Sequence, residues 1–174
     1  MGKTARRIPM TVTFLEMKAR PTALPPPQPK GRIALLKADK PPTHFYRYLY
    51  DTIGADYYWV DRKRLTPDAL ADIIHDPRNL LFILYTDGNP AGLAELDLRR
   101  PGTCNISYFG LMPEAIGKRL GYFFLYHTCM NAWAQPIQRL TINTCTLDHP
   151  RALPLYQRLG FTPYSREERF VELP

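Results

Sequence analysis

Leu147-Asp148-His149-Pro150-Arg151-Ala152-Leu153-Pro154-Leu155-Tyr156-Gln157-Arg158-Leu159-Gly160-Phe161 is the stretch that decides how this 174-residue chain is read. Asp148 is of a type that caps helix starts, Ala152, Leu155, Tyr156 and Leu159 share a helical face, and Gly160 supplies a stop. A strand from Leu140 to Thr146 precedes the helix, and Phe161 to Leu173 supplies a closing strand or strands. About one strand upstream stands Leu111-Met112-Pro113-Glu114-Ala115-Ile116-Gly117-Lys118-Arg119-Leu120-Gly121. It reads as an apolar strand that turns at a proline into a glycine-punctuated, basic helix start. Such a junction combines unpaired backbone N–H groups with the positive end of the helix dipole, which suits an anion such as phosphate.

Working outward, the strand before that junction covers Asn105 to Leu111, and the helix after it runs to about Ala134. Leu120, Phe123, Phe124, Leu125, Cys129, Met130 and Trp133 wrap much of this helix, so it should be deeply packed. Upstream, Leu80 to Tyr85 is an apolar run suited to a strand covered on both faces. Asp87-Gly88-Asn89-Pro90 turns it back into a partner strand, Ala91 to Arg99. Thr66-Pro67-Asp68 starts a helix to about Ile74, and Thr43 caps another from His44 to Thr52, ending near Gly54. Met10 to Lys18 and Arg32 to Lys37 read as strands. Between them Pro21, Pro25, Pro26, Pro27 and Pro29 dictate an extended loop or arm over residues 21–31, which is not a domain boundary. The whole, residues 1–174, reads as a single domain of α/β class with helices on the faces of a mixed sheet.

Composition limits the function classes. Hydrophobic residues make up 45% of the chain, enough for a real core. The net charge of +7 is scattered from Lys3 to Arg169 instead of forming one stripe, so a solvated basic surface is expected and no nucleic-acid partner. Cys104, Cys129 and Cys145 form no CxxC pair, and His44, His75, His127 and His149 lack ligand spacing, so neither a disulfide framework nor a metal site is expected. Lys3, Arg6 and Arg7 precede an apolar run that Glu16 and Lys18 cut short, so no signal peptide or membrane span is read, and a cytoplasmic location is expected.

The two quoted segments together resemble the acetyl-CoA-binding core of the GCN5-related N-acetyltransferase (GNAT) superfamily. Ala152, Leu155, Tyr156, Leu159, Gly160 and Phe161 match the family phrase Ala, two residues, Leu, Tyr, two residues, Leu, Gly, Phe. The cofactor loop of that family runs Gln or Arg, two residues, Gly, one residue, Gly or Ala. Aligned from Pro113, Ile116 stands in place of Gln or Arg, Arg119 in place of the first glycine, and Gly121 satisfies the last position. The resemblance implies a mostly antiparallel central sheet flanked by helices and an acetyl-CoA site. That site would use strand backbone at Phe109 and Leu111 for the pantetheine arm, and Ile116, Gly117, Lys118, Arg119, Leu120 and Gly121 for phosphate. His149 stands where relatives have an asparagine that contacts the cofactor arm.

The implied reaction is direct attack of an amine on a thioester in a ternary complex. Tyr156 is the implied acid for the departing thiolate, its alternative being a core tyrosine bonded to backbone. Glu95 is the candidate base, sharing a strand face with Asp97, against the alternative of a solvated surface carboxylate; Ser107 and Tyr108 are fallbacks. Tyr57, Tyr58 and Trp59, with Asp61, are candidates to cradle the acceptor. The acceptor is a small-molecule or protein amine, and the assembly a monomer or homodimer. The rival reading is a catalytically degenerate acetyl-CoA-binding regulatory module, favoured by Ile116, Arg119 and His149.

Overall fold

The apolar run Leu80 to Leu84 lies buried along its whole length in the computed structural model, which describes residues 6–173. Lys3 therefore lies outside the described residues. The run is the interior of a strand, β3 (Asn79–Thr86), and its turn partner is β4 (Asn89–Asp97). The other strands are β1 (Arg7–Met17), β2 (Ile33–Lys37), β5 (Thr103–Leu111), β6 (Arg139–Cys145) and β7 (Thr162–Glu172). The helices are α1 (Thr43–Gly54), α2 (Pro67–Ile74), α3 (Leu120–Trp133) and α4 (Ala152–Leu159).

The strands form one sheet in the order β2-β3-β4-β5-β6-β1-β7. Among the described residues only the β5–β6 pair is parallel, so the sheet is mixed and mostly antiparallel, as the family resemblance implies. Its order holds one arrangement that periodicity does not reveal. The first strand of the chain is inserted between β6 and β7, with Val12 opposite both Cys145 and Glu167.

Helices cover both faces. A Cβ on Gly110 would collide with Ile53 of α1, and one on Gly92 with Phe124 of α3. Gly110 is paired with Leu93 and Gly92 with Leu111, so these glycines point to opposite sides of the sheet. α1 turns Tyr46, Leu49, Tyr50 and Ile53 inward, all at most 2% exposed, and each such side chain contributes about 1.5–3 kcal/mol of burial. α3 is apolar around its circumference and buries Leu120, Phe124, Leu125, Cys129 and Ala132.

Several boundaries differ from the sequence reading for local reasons. Thr66 caps α2 as expected, its hydroxyl accepting the Ala69 N–H at 3.2 Å. Thr43 does not cap α1; it is the first helical residue after Pro42. Asp148 is no helix cap either. Its Oδ2 accepts the Cys145 N–H at 2.9 Å and the Thr144 hydroxyl at 2.6 Å, tying down the end of β6, while α4 starts after Arg151. The basic segment Gly117 to Arg119 lies in a loop, and α3 begins at Leu120. Gly160 ends α4 with φ 119°, a backbone setting that favours glycine.

Candidate functional site

β5 and β6 pair only from Thr103–Arg139 to Ile106–Ile142 and then separate. Beyond that point the β6-facing edge of Ser107 to Leu111 is left without a strand partner, and backbone polar groups there are available to a ligand. The gap opens into a cavity of about 1850 Å³ lined by Ile106 to Leu111 on one side and by Ile142, Asn143, Cys145 and Leu147 to His149 on the other. It continues along Ile116 to Phe123 and reaches Tyr156. The structure thus brings Phe109, Leu111, Ile116, Gly117, Lys118, Arg119, Leu120, Gly121, His149 and Tyr156 to one cleft, together with Tyr57, Tyr58 and Trp59.

The anion-binding end follows from the chain geometry. No side chain caps α3 among the described residues, so the first-turn amides of Leu120, Gly121 and Tyr122, residues that line the cleft, lack an intrahelical acceptor. Gly117 has φ 83° with nothing within 4 Å of where a Cβ would stand, and a Cβ on Gly121 would meet only Leu155, at 3.7 Å. This is open space beside unpaired donors. Lys118, Arg119, Arg151 and Arg158 line it. Arg119 holds φ 60°, ψ 26°, the left-handed setting, at the position where the family pattern carries glycine. Pro26 to Lys30, from the proline-rich loop, also line this cavity, a contribution with no signal in their composition.

Tyr156 is 6% exposed, yet its hydroxyl makes no hydrogen bond to protein among the described residues, and the residue lines the cleft. Its ring stands edge-on to Phe109 and Phe161, at 6.3 and 6.2 Å between centroids. Burial, then the charge of Asp148, push the phenol's pKa up and keep it protonated. The His149 ring accepts the Arg151 N–H at Nδ1, 3.1 Å away. In the neutral ring the proton therefore sits on Nε2, which makes His149 a donor, as the asparagine amide it replaces would be.

Glu95 requires a correction. It is neither on the solvated surface nor on the cleft: it is 0% exposed and does not line the cavity. Tyr46 Oη donates to its Oε2 at 2.5 Å, and Arg62 and Asn79 donate to its Oε1 at 2.6 and 3.2 Å. A carboxylate so enclosed does not face an acceptor amine in the cleft. Asp97, expected on the same face, is bound by the Arg99 side chain.

The aromatic trio separates into different roles. Trp59 packs against Tyr50 and Tyr108, at 5.3 and 4.9 Å between centroids, and touches the cleft from that cluster. Tyr58 has φ 57° and is 39% exposed, while Tyr57 stands edge-on to His149 at 6.5 Å. The cation face of Tyr108 is already taken by Arg62, whose guanidinium carbon lies 5.3 Å from the ring centroid.

A family model described as the acetyltransferase (GNAT) family matches residues 46–161, two thirds of the chain. The chain belongs to the GNAT family. Among solved structures, a GCN5-related N-acetyltransferase from Kribbella flavida superposes with TM-score 0.63 at 17% identity, over 95% of this chain and 60% of its own. One from Sphaerobacter thermophilus gives 0.62 at 15% identity, over 94% and 51%. An acetyltransferase from Trypanosoma brucei gives 0.58 at 17% identity, over 79% and 98%. At these identities the likeness speaks for the GNAT fold. The chain spans about half to three fifths of the length of the first of these structural relatives. No curated protein sequence matches it. The GNAT match leaves out β1, β2 and all of β7, whereas the Kribbella flavida structure superposes over 95% of the chain.

The sequence signals for this site were local ones, a loop pattern and a helix phrase. Residues missed from the sequence are Arg62, Tyr46 and Asn79 around Glu95, which meet only through the fold. The wall formed by Met10, Arg169 and Val171 was also missed, because nothing in β1 announces that it pairs with β7.

Proposed function

We propose that this GNAT protein is an acetyl-CoA-dependent N-acetyltransferase in which a small-molecule or protein amine attacks directly within a ternary complex. The observation that carries this reading is the Tyr156 phenol, buried, protonated and without a hydrogen-bond partner among the described residues, at the cleft where β5 and β6 part. Acetyl-CoA supplies a thioester acetyl group when bound.

The residues present fit that group. First-turn amides of α3 and the cations Lys118 and Arg119 would hold its phosphates, and the free edge of β5 from Phe109 to Leu111 its amide-rich arm. His149 Nε2 would donate to the same arm. A free N–H on β5 would polarise the acetyl carbonyl of the thioester, and Tyr156 Oη would supply the proton that the leaving sulfur takes. Asp61, an exposed carboxylate at the acceptor end, attracts an ammonium group before its proton is lost to water.

Calorimetry with acetyl-CoA and desulfo-CoA, followed by thiol release across an amine panel, tests the reading. Binding together with thiol release supports it. Binding without release for any amine supports the degenerate regulatory module, and no binding at about millimolar cofactor removes both. Gly121→Glu should fold, since a Cβ there meets only ordinary contact, and should lose binding because it sets a negative charge among the amide donors.

A further inference from the structure

Glu95 is the most enclosed charge among the described residues, and an apolar side chain of similar size would hold the core with less desolvation cost. Its three donors come from separate elements. Tyr46 belongs to α1, Asn79 to β3 and Arg62 to a single 3₁₀ turn at Arg62–Arg64. Arg62 is the pivot. Its guanidinium bonds Glu95 and lies on Tyr108, while its backbone N–H donates to Tyr50 Oη at 3.3 Å. Tyr50 Oη in turn donates to Tyr108 Oη at 3.3 Å. Arg47 pins the same turn by donating to the carbonyls of Arg62 and Leu65 at 3.3 and 2.6 Å.

Above this network stand the residues that reach the cleft: Trp59, Val60, Asp61 and Arg64 from the loop, and Tyr108 from β5. Arg64 closes the wall across the cleft by donating to the Glu172 carbonyl of β7. None of Tyr46, Arg62, Asn79 and Glu95 lines the cleft itself. Charge and geometry are therefore invested one layer behind the acceptor wall.

We propose that Glu95 is a positioning residue that, through Arg62, fixes Tyr108 and the Trp59–Arg64 loop as the acceptor-binding wall, and takes no part in proton transfer. The inference rests on the acetyl-transfer reading above. An ion pair suits this task because a bidentate-capable guanidinium holds both a carboxylate and a ring face, which a lysine does not reproduce.

The test compares the parent protein with Glu95→Gln and with Arg62→Lys, which retains the charge. Both should keep desulfo-CoA affinity within about twofold, raise the acceptor KM about tenfold or more, and change kcat less than about threefold. The acid limb of the kcat/KM pH profile should persist in Glu95→Gln. A kcat loss of about a hundredfold with the acid limb abolished would make Glu95 the base and overturn the proposal. An unchanged acceptor KM in both variants would overturn it as well, leaving the network a structural one.

A readout free of turnover separates this failure from failure of the functional reading. In a Trp133→Phe background, acrylamide quenching of Trp59 should rise about twofold on Glu95→Gln or Arg62→Lys. Unchanged quenching overturns the proposal even if the parent transfers acetyl groups. Absence of acetyl-CoA binding by the parent would instead remove the functional reading. Should Glu95→Gln fail to fold, Arg62→Lys carries both measurements.

Discussion

Tyr156 keeps the family's helix phrase, whereas Arg119 departs from its loop pattern, and each makes a separate prediction at the scale of a single side chain. Tyr156→Phe removes one oxygen from a buried ring whose packing on Phe109 and Phe161 is unchanged. It should lower kcat by about a hundredfold with cofactor affinity held within about twofold, measured by thiol release and calorimetry. Arg119 sits in the left-handed region at a cost of roughly 1–2 kcal/mol for an L-residue. Arg119→Gly should therefore raise stability by about 1 kcal/mol in chemical denaturation, while any loss of acetyl-CoA affinity measures the charge. Tyr156 was legible in the sequence because its motif is local, ten residues that form one helix and its stop. Glu95 was legible as a carboxylate on a strand face but not in its task, since that depends on partners 49, 33 and 16 positions away in the chain.

Elements come together here through close approaches that tolerate no extra atom. Gly110 of β5 lies where a Cβ would be 2.4 Å from Ile53 of α1 and 3.3 Å from Trp59. Gly110→Ala should push α1 and the Trp59 loop from the sheet, lowering stability by roughly 1–3 kcal/mol and broadening acceptor selectivity, read by denaturation and an amine panel. Most elements were visible from periodicity and stop signals, as with α2 behind Thr66 and the β3–β4 hairpin. Their ends shifted where tertiary partners extend or replace the local signal. β1 begins at Arg7 because β7 supplies a partner there, with Arg7 opposite Glu172. Asp148 leaves its capping role because the end of β6 offers an N–H and a hydroxyl to the same oxygen.

Across the whole molecule, several carboxylates are held below their ordinary pKa by arginine partners: Glu16 by Arg139, Asp97 by Arg99, and Asp76 by Arg78, the last down to about 2. A lowered native pKa means that the unfolded chain binds protons first. The stability these groups contribute is present above about pH 4 and lost as pH falls toward 2. Urea midpoints should accordingly drop across that interval, and added salt should shrink the drop, because these pairs lie near the surface. No helix among the described residues is long and apolar enough to cross a membrane. Sheet order was the property least legible beforehand, because pairing of distant strands leaves no trace in local pattern. The placement of β1 between β6 and β7 also bears on how the chain is made. Val12 meets Cys145 only after about 130 further residues have been synthesised, roughly 7–27 s at ribosomal speed. Through that interval the opening strand has neither neighbour and is exposed to stray pairing, so the nascent chain should depend on chaperones more than its size suggests.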